Sequence, residues 1–350
     1  MGNKCPAKVT IKGVIGLCMI VKDIYQTVES FWKILGIGPW RIFSSGFPHI
    51  PDLEYYGRAS RATFKVARTR LGSLEYELIQ PLDGDSVYKD WLNQHGEGYH
   101  HLKFVADNIA DVKKEMARLG FPSIQSGYSS QAPKNQFSIF DTSKALRCIW
   151  AIYDNQSDIP IGAIPYPKDP SEKSPARIKI KDAPQVALVV KDLQNTIENY
   201  WNILGIGPWE LRDWGSLVLP ERLYHGRQTW VKEKMGHAFT EDLDLEMFAF
   251  VEGESIYQDW IDEHGEGIHH IKLRVDDLDE VTDDLDRQGF PCLLRGRGGL
   301  PEEKSGFAYY YIEPLHSVWE PVRESKGGRI GVPTFYPPEL AYPIEKTMYR

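Results

Sequence analysis

Two histidine-rich stretches, HGEGYHH over residues 95–101 and HGEGIHH over residues 264–270, set imidazoles beside a carboxylate twice in one chain. Side chains of these types hold divalent cations or move protons. A third feature is a glutamate inside an apolar run, Leu245-Glu246-Met247-Phe248. An unpaired carboxylate is costly to bury. Glu246 therefore either faces solvent from the alternating side of a strand or is held inside by a cation, and His270 has the same standing. His269 and His100 each stand one residue before the second histidine of a pair, so on a strand they are expected to point to the opposite face and to serve packing.

These residues recur because the chain is written twice. Phe31-Trp32-Lys33-Ile34-Leu35-Gly36-Ile37-Gly38-Pro39-Trp40 returns as Tyr200-Trp201-Asn202-Ile203-Leu204-Gly205-Ile206-Gly207-Pro208-Trp209, and Tyr88 to His101 returns as Tyr257 to His270, both at an offset of 169 residues. Each copy reads as strand, helix and three strands, then the same order again. In the second copy, Pro184 to Val190 is a strand, and Asp192 caps a helix to Leu204 that Gly205 ends. Strands over 209–214, 227–234 and 243–251 follow. His270 to Val275 restarts the order, with a helix over 277–288 and strands over 291–295, 307–312 and 317–322. The first copy matches, from Val14 to Val21 and Asp23 to Leu35 through to 147–153. His225, His237 and His316 have no histidine partner in the first copy and are expected at the surface or a pocket rim. The expected domains are 1–153 and 183–323, joined by a Pro-rich arm over 154–182 and followed by an extended tail over 324–350. Ile161-Gly162 in the arm echoes Ile330-Gly331 in the tail, and Tyr166 echoes Phe335, so both segments are expected to lie as extended arms on their domains.

The 350 residues suffice for two cores. A net charge of -8, with 42% hydrophobic and 26% charged residues, speaks against disorder and against nucleic-acid binding. Val14 to Val21 is too short to span a bilayer, and Met1 to Thr10 lacks a signal-peptide core. Met1-Gly2 with Cys5 only faintly suggests acylation, since Pro6 stands where the pattern wants Ser or Thr. The four cysteines show no CxxC spacing, which fits a reducing compartment, and a cytoplasmic location is expected. The expected partner is a small molecule, with no nucleic acid and no membrane, and self-association is left open. The 18 Tyr and 10 Trp could line a pocket or fill β-rich cores.

The repeated modules, with GIGPW, Glu77-Leu78-Ile79-Gln80-Pro81-Leu82 and GEGxHH, resemble the vicinal oxygen chelate superfamily, which includes glyoxalase I, methylmalonyl-CoA epimerase and the extradiol dioxygenases. The resemblance covers nearly the whole chain. It implies an α+β fold in which four βαβββ modules pair into two glyoxalase/bleomycin resistance/dioxygenase-like domains, each curled into a cup. It also implies a metal held by residues on the first and last strands of both modules. Carried onto this sequence, those positions are Gln185, Glu246, His270 and Glu320 in the second copy, and Gly16, Glu77, His101 and Ala151 in the first. The second site is complete and the first is degenerate. Two carboxylates, an imidazole and an amide oxygen suit Zn, Mn, Co or Ni and leave places for a substrate with two neighbouring oxygens.

The set Gln, Glu, His, Glu resembles that of glyoxalase I, whereas HGEGxHH and ELIQPL look closer to epimerases. The resemblance thus implies a metal-dependent isomerase, epimerase or lyase that works through an enolate or enediolate of a small carbonyl substrate, with Glu320 as the preferred base and Glu246 its counterpart. Two alternatives stay open: an extradiol-type dioxygenase with Fe(II), which Gln185 opposes, and a ligand-binding protein without catalysis.

Overall fold

Strand Gly13–Ile20 buries all its side chains, as a strand covered on both faces must, and it lies at the heart of a sheet of eleven strands. It runs parallel to Leu74–Pro81 and antiparallel to Gly98–Val105, and the latter is parallel to Ile149–Tyr153. The second copy repeats this plan. Ile180–Val189 is parallel to Asp244–Gly253 and antiparallel to Gly267–Val275, which is parallel to Ser317–Arg323, again within eleven strands. The first and last strands of the two modules are thus four neighbours at the centre of each sheet, and residues directly paired across them share a face. The computed structural model describes residues 5–9, 11–130, 135–154, 159–216, 219, 221–240, 243–298, 304–325 and 333–338. The chain divides into two compact units, Ala7–Ala176 and Arg177–Arg350 with Met1–Pro6.

Each second-domain helix starts where a short acceptor side chain precedes an apolar period. Asp192 accepts from Asn195 N, and Asp277 accepts from Glu280 N. The first helix is α over Leu193–Asn199 and widens to a π turn over Tyr200–Leu204, and Gly205 closes it at φ 69°, a conformation that a Cβ would strain. The first copy does the same over Ile24–Ser30 and Phe31–Leu35.

A helix that the strand-and-helix pattern did not foresee joins the modules, over Val87–His95 and again over Ile256–His264. Its N-caps are Ser86 and Ser255, and it presents Tyr88 or Tyr257 to the core. The arm and the tail each add an edge strand, Ile164–Tyr166 against Trp40–Gly46 and Thr334–Tyr336 against Trp209–Gly215. Ile330-Gly331, Met1-Gly2 and the end of the tail lie outside the described residues.

The sheets are strongly curled. In the second domain, strand Arg222–Tyr224 is second from one edge and Val231–Phe239 is ninth. Seven strand spacings would put them about 34 Å apart in a flat sheet. Nevertheless Arg222 donates through both terminal nitrogens to Glu233, at 2.7 and 3.0 Å, so the sheet curls into a cup whose distant strands this buried ion pair joins. Leu53 and Phe64 occupy the equivalent places in the first domain, inside an apolar core cluster. Among the described residues no helix is long and apolar enough to cross a membrane.

Candidate metal centre

In the second cup, Ala187 on the central strand is paired with Glu246 on one side and His270 on the other. His270 is in turn paired with Val318, two residues before Glu320. The four strands therefore carry Glu246, His270 and Glu320 to one spot, where a donor atom from each lies within 4.8 Å of the others. Gln185 stands two residues before Ala187 on the same face, paired with Asp244 and Lys272, and is buried. Lys272 lies between Gln185 and Glu320 in the register but donates from its ammonium to Glu324 at 2.7 Å.

His270 Nε2 is 3.4 Å from Glu246 Oε2 and 3.5 Å from Glu320 Oε2. The contacts lack the direction of hydrogen bonds, because His270 Nε2 and Glu246 Oε2 are both buried without a hydrogen-bond partner. Orphaned polar atoms in an apolar surround are costly. Donors held about 2.1 Å from a zinc ion in tetrahedral array stand about 3.4 Å apart, so the spacing fits a shared divalent cation. Burial opposes a proton on His270, but Glu246 and Glu320 outweigh it and raise its pKa, the response of a site short of positive charge.

The histidine pair is not split between faces as alternation predicts. Ala187 pairs with His270 and the next residue, Leu188, pairs with Ile268, so His269 is the extra residue of a β-bulge. The bulge brings His269 Nδ1 to 2.8 Å from His270 Nδ1. With the proton on His270 Nδ1, this contact leaves the Nε2 lone pair facing the carboxylates. His100 and His101 repeat the device at 2.7 Å.

His237 also departs from expectation. It is 3% exposed, not at a rim; its Nδ1 lies 3.1 and 3.2 Å from the Asp244 oxygens and its Nε2 3.2 Å from Glu246 Oε1. It is paired directly with Glu246 across the sheet. The contrast Arg68 against His237 at the repeat offset was available as a signal in the sequence. His225 is exposed and His316 half-buried. Aromatic rings complete the second cup: Tyr309 lies edge-on to His270 at 4.8 Å, Phe248 stacks on Tyr257 at 4.2 Å, and the Tyr257 hydroxyl donates to that of Tyr309 at 2.9 Å. Burial, and then the nearby Glu320, raise the Tyr309 pKa well above its ordinary value, so the phenol keeps its proton.

The first cup brings together Cys18, Glu77 and His101, with donor atoms within 4.8 Å of one another, but fills the place differently. Arg68 Nε donates to Glu77, and the fully buried Lys103 bridges Glu77 at 3.2 Å and Glu75. Burial pushes the Glu77 carboxyl up, and Arg68 and Lys103 more than offset this, holding it below its usual value. Burial, and then Glu77, keep the Cys18 thiol protonated, while burial and Lys103 keep His101 neutral. A Cβ at Gly16 would lie 2.3 Å from the Glu75 carbonyl oxygen, so this backbone admits no side chain there. Ala151 is fully buried.

The family model described as Glyoxalase/Bleomycin resistance protein/Dioxygenase superfamily matches residues 17–140 and 184–310. No curated protein matches the chain. Among solved structures, a mutant of 4-hydroxymandelate synthase from Streptomyces coelicolor is similar over 92% of this chain and 94% of its own, with 14% identity and a TM-score of 0.57, a likeness of fold. A Mn(II)-bound glyoxalase from Novosphingobium aromaticivorans is similar at 11% identity and TM-score 0.45, covering 90% of this chain and 82% of its own. A xylose isomerase-like TIM barrel/4-hydroxyphenylpyruvate dioxygenase fusion protein is similar at 13% identity and TM-score 0.49, covering 94% of this chain and 51% of its own.

Proposed function

The chain belongs to the glyoxalase/bleomycin resistance protein/dioxygenase superfamily, and from that premise we propose that its second domain is a metal-dependent isomerase, epimerase or lyase acting on a small carbonyl compound through an enolate. The observation that carries this reading is the buried, under-neutralised set Glu246, His270 and Glu320, with Gln185 beside it on the same face. A divalent ion (Zn, Mn, Co or Ni), when bound, supplies Lewis acidity to oxygens next to the carbon that loses its proton. The residues around it divide the remaining work. Glu246 faces His237 through one oxygen, at 3.2 Å, and His270 through the other, at 3.4 Å, and is flanked on both sides. Among the described residues the one ion-pair contact of the Glu320 carboxylate is with His270, so it is the carboxylate with freedom to take a proton from substrate and return it. The aromatic wall of Phe248, Tyr257 and Tyr309 excludes water, which strengthens every charge interaction inside.

The test has three readouts. Elemental analysis should give one tightly held ion per chain, lost on His270→Ala. Carbonyl compounds offered to the protein in D2O should take up deuterium at the carbon next to the carbonyl. Oxygen should not be consumed. A second reading, an iron-dependent oxygenase, draws support from His237: a second imidazole beside the same carboxylate approaches the two-histidine, one-carboxylate set of such enzymes. Oxygen consumption without deuterium uptake by the Fe(II)-loaded protein would replace the first reading with this one.

A further inference from the structure

We propose that His237 is a further ligand to the ion of the second domain, oriented by Asp244. The proposal rests on the metal-dependent reading of Glu246, His270 and Glu320 and adds to it a residue outside the four positions of the motif.

The argument begins with where the protons are. A carboxylate can only accept, so the approach of His237 Nδ1 to the two Asp244 oxygens, at 3.1 and 3.2 Å, places a proton on Nδ1. Nε2 is then the ring nitrogen left to face Glu246. That atom is buried, has no hydrogen-bond partner, and lies 3.2 Å from Glu246 Oε1. A buried polar atom left without a partner is costly, and a bound cation shared with Glu246 would satisfy Nε2. A carboxylate that fixes one ring nitrogen while the other faces a metal position is the usual support of a ligating histidine.

The first domain supplies a control within the same chain. Arg68 occupies the position equivalent to His237, and its guanidinium donates directly to Glu77, the equivalent of Glu246. Glu75, the equivalent of Asp244, is engaged by Lys103. One copy thus delivers a fixed cation to the glutamate, and the other an imidazole nitrogen, a group that ligates divalent metals.

X-ray absorption at the Zn edge of the Zn(II)-loaded full chain decides the matter, since imidazole rings give a countable scattering signature. One ion with two imidazoles, His270 and His237, is expected. His237→Ala should leave one imidazole, and Asp244→Asn should weaken Zn(II) binding about ten- to a hundredfold, as loss of an orienting partner does. One imidazole in the unmodified protein would overturn the proposal and leave the broader reading intact. No tight Zn(II) at all would sink the broader reading itself. The unmodified protein decides even if His237→Ala fails to fold.

Discussion

Positions 68 and 237 face the same carboxylate in the two halves of the molecule, and their difference decides what completes each cup. In the first domain Arg68 and Lys103 neutralise Glu75 and Glu77 from within, so the polar floor is closed by covalently attached cations. In the second, Arg68 has become His237, and the equivalent of Lys103, Lys272, is drawn outward by Glu324, whose partner in the first copy is Asn155. The second cup is left with Asp244, Glu246 and Glu320 around two histidines. A duplicated scaffold can therefore hold one cup as a self-neutralised structural core and the other as a site that wants an ion. The change needs only a few side chains, because burial makes charge balance compulsory in both.

The largest expected contrast is between the two paired histidines. His270→Ala should reduce bound metal from about one ion per chain to background, whereas His101→Ala should leave the metal content unchanged; equal losses by elemental analysis would erase the distinction between the cups. Glu320→Gln comes next. It keeps an oxygen donor but removes the base, so turnover should fall about a hundred- to ten-thousandfold while metal content drops only modestly. Near-full turnover with the ion in place would make Glu320 a ligand alone.

Two further measurements probe stability. Lys103→Ala removes the fully buried cation that bridges Glu75 and Glu77 and should cost about 3–5 kcal/mol in denaturant unfolding. Lys272→Ala removes an exposed ion pair worth about 1 kcal/mol or less. Similar costs would show that both lysines play the same part. Acid should separate the domains as well. Because Arg68 and Lys103 hold the Glu77 carboxyl below its unfolded value of about 4.3, its contribution to folding is complete above about pH 5 and fades as pH falls through 4.3 toward the folded value. Thermal unfolding with a chelator at neutral pH should thus weaken the second domain only, and acidification in the continued presence of chelator should then weaken the first. A first domain that responds to chelator would mean that Cys18, Glu77 and His101 bind metal after all.

Much of the architecture was legible in the chain alone. The offset of 169 residues exposed two domains, and the capping aspartates and the glycine closing each first helix marked the elements, because caps and left-handed turns depend on local residue types. Register is local too, once apolar alternation says which face is buried, so Glu246, His270 and Glu320 could be set on neighbouring strands through the family pattern. The joining helix over Ile256–His264 escaped notice because its periodicity is weak and the HGEG turn that follows dominates the stretch. What only the tertiary structure decided was the environment of each charge. His269 lies beside His270 because of a bulge that alternation cannot reveal. Lys103 turns in and Lys272 turns out because of acids distant in sequence, Glu75 and Glu324. His237 became part of the site because the sheet sets it beside Glu246 and Asp244. Residue types carry the capacity for chemistry, but the sign and number of charges sharing a dry cavity arise from contacts between remote segments, and those exist only in the folded chain.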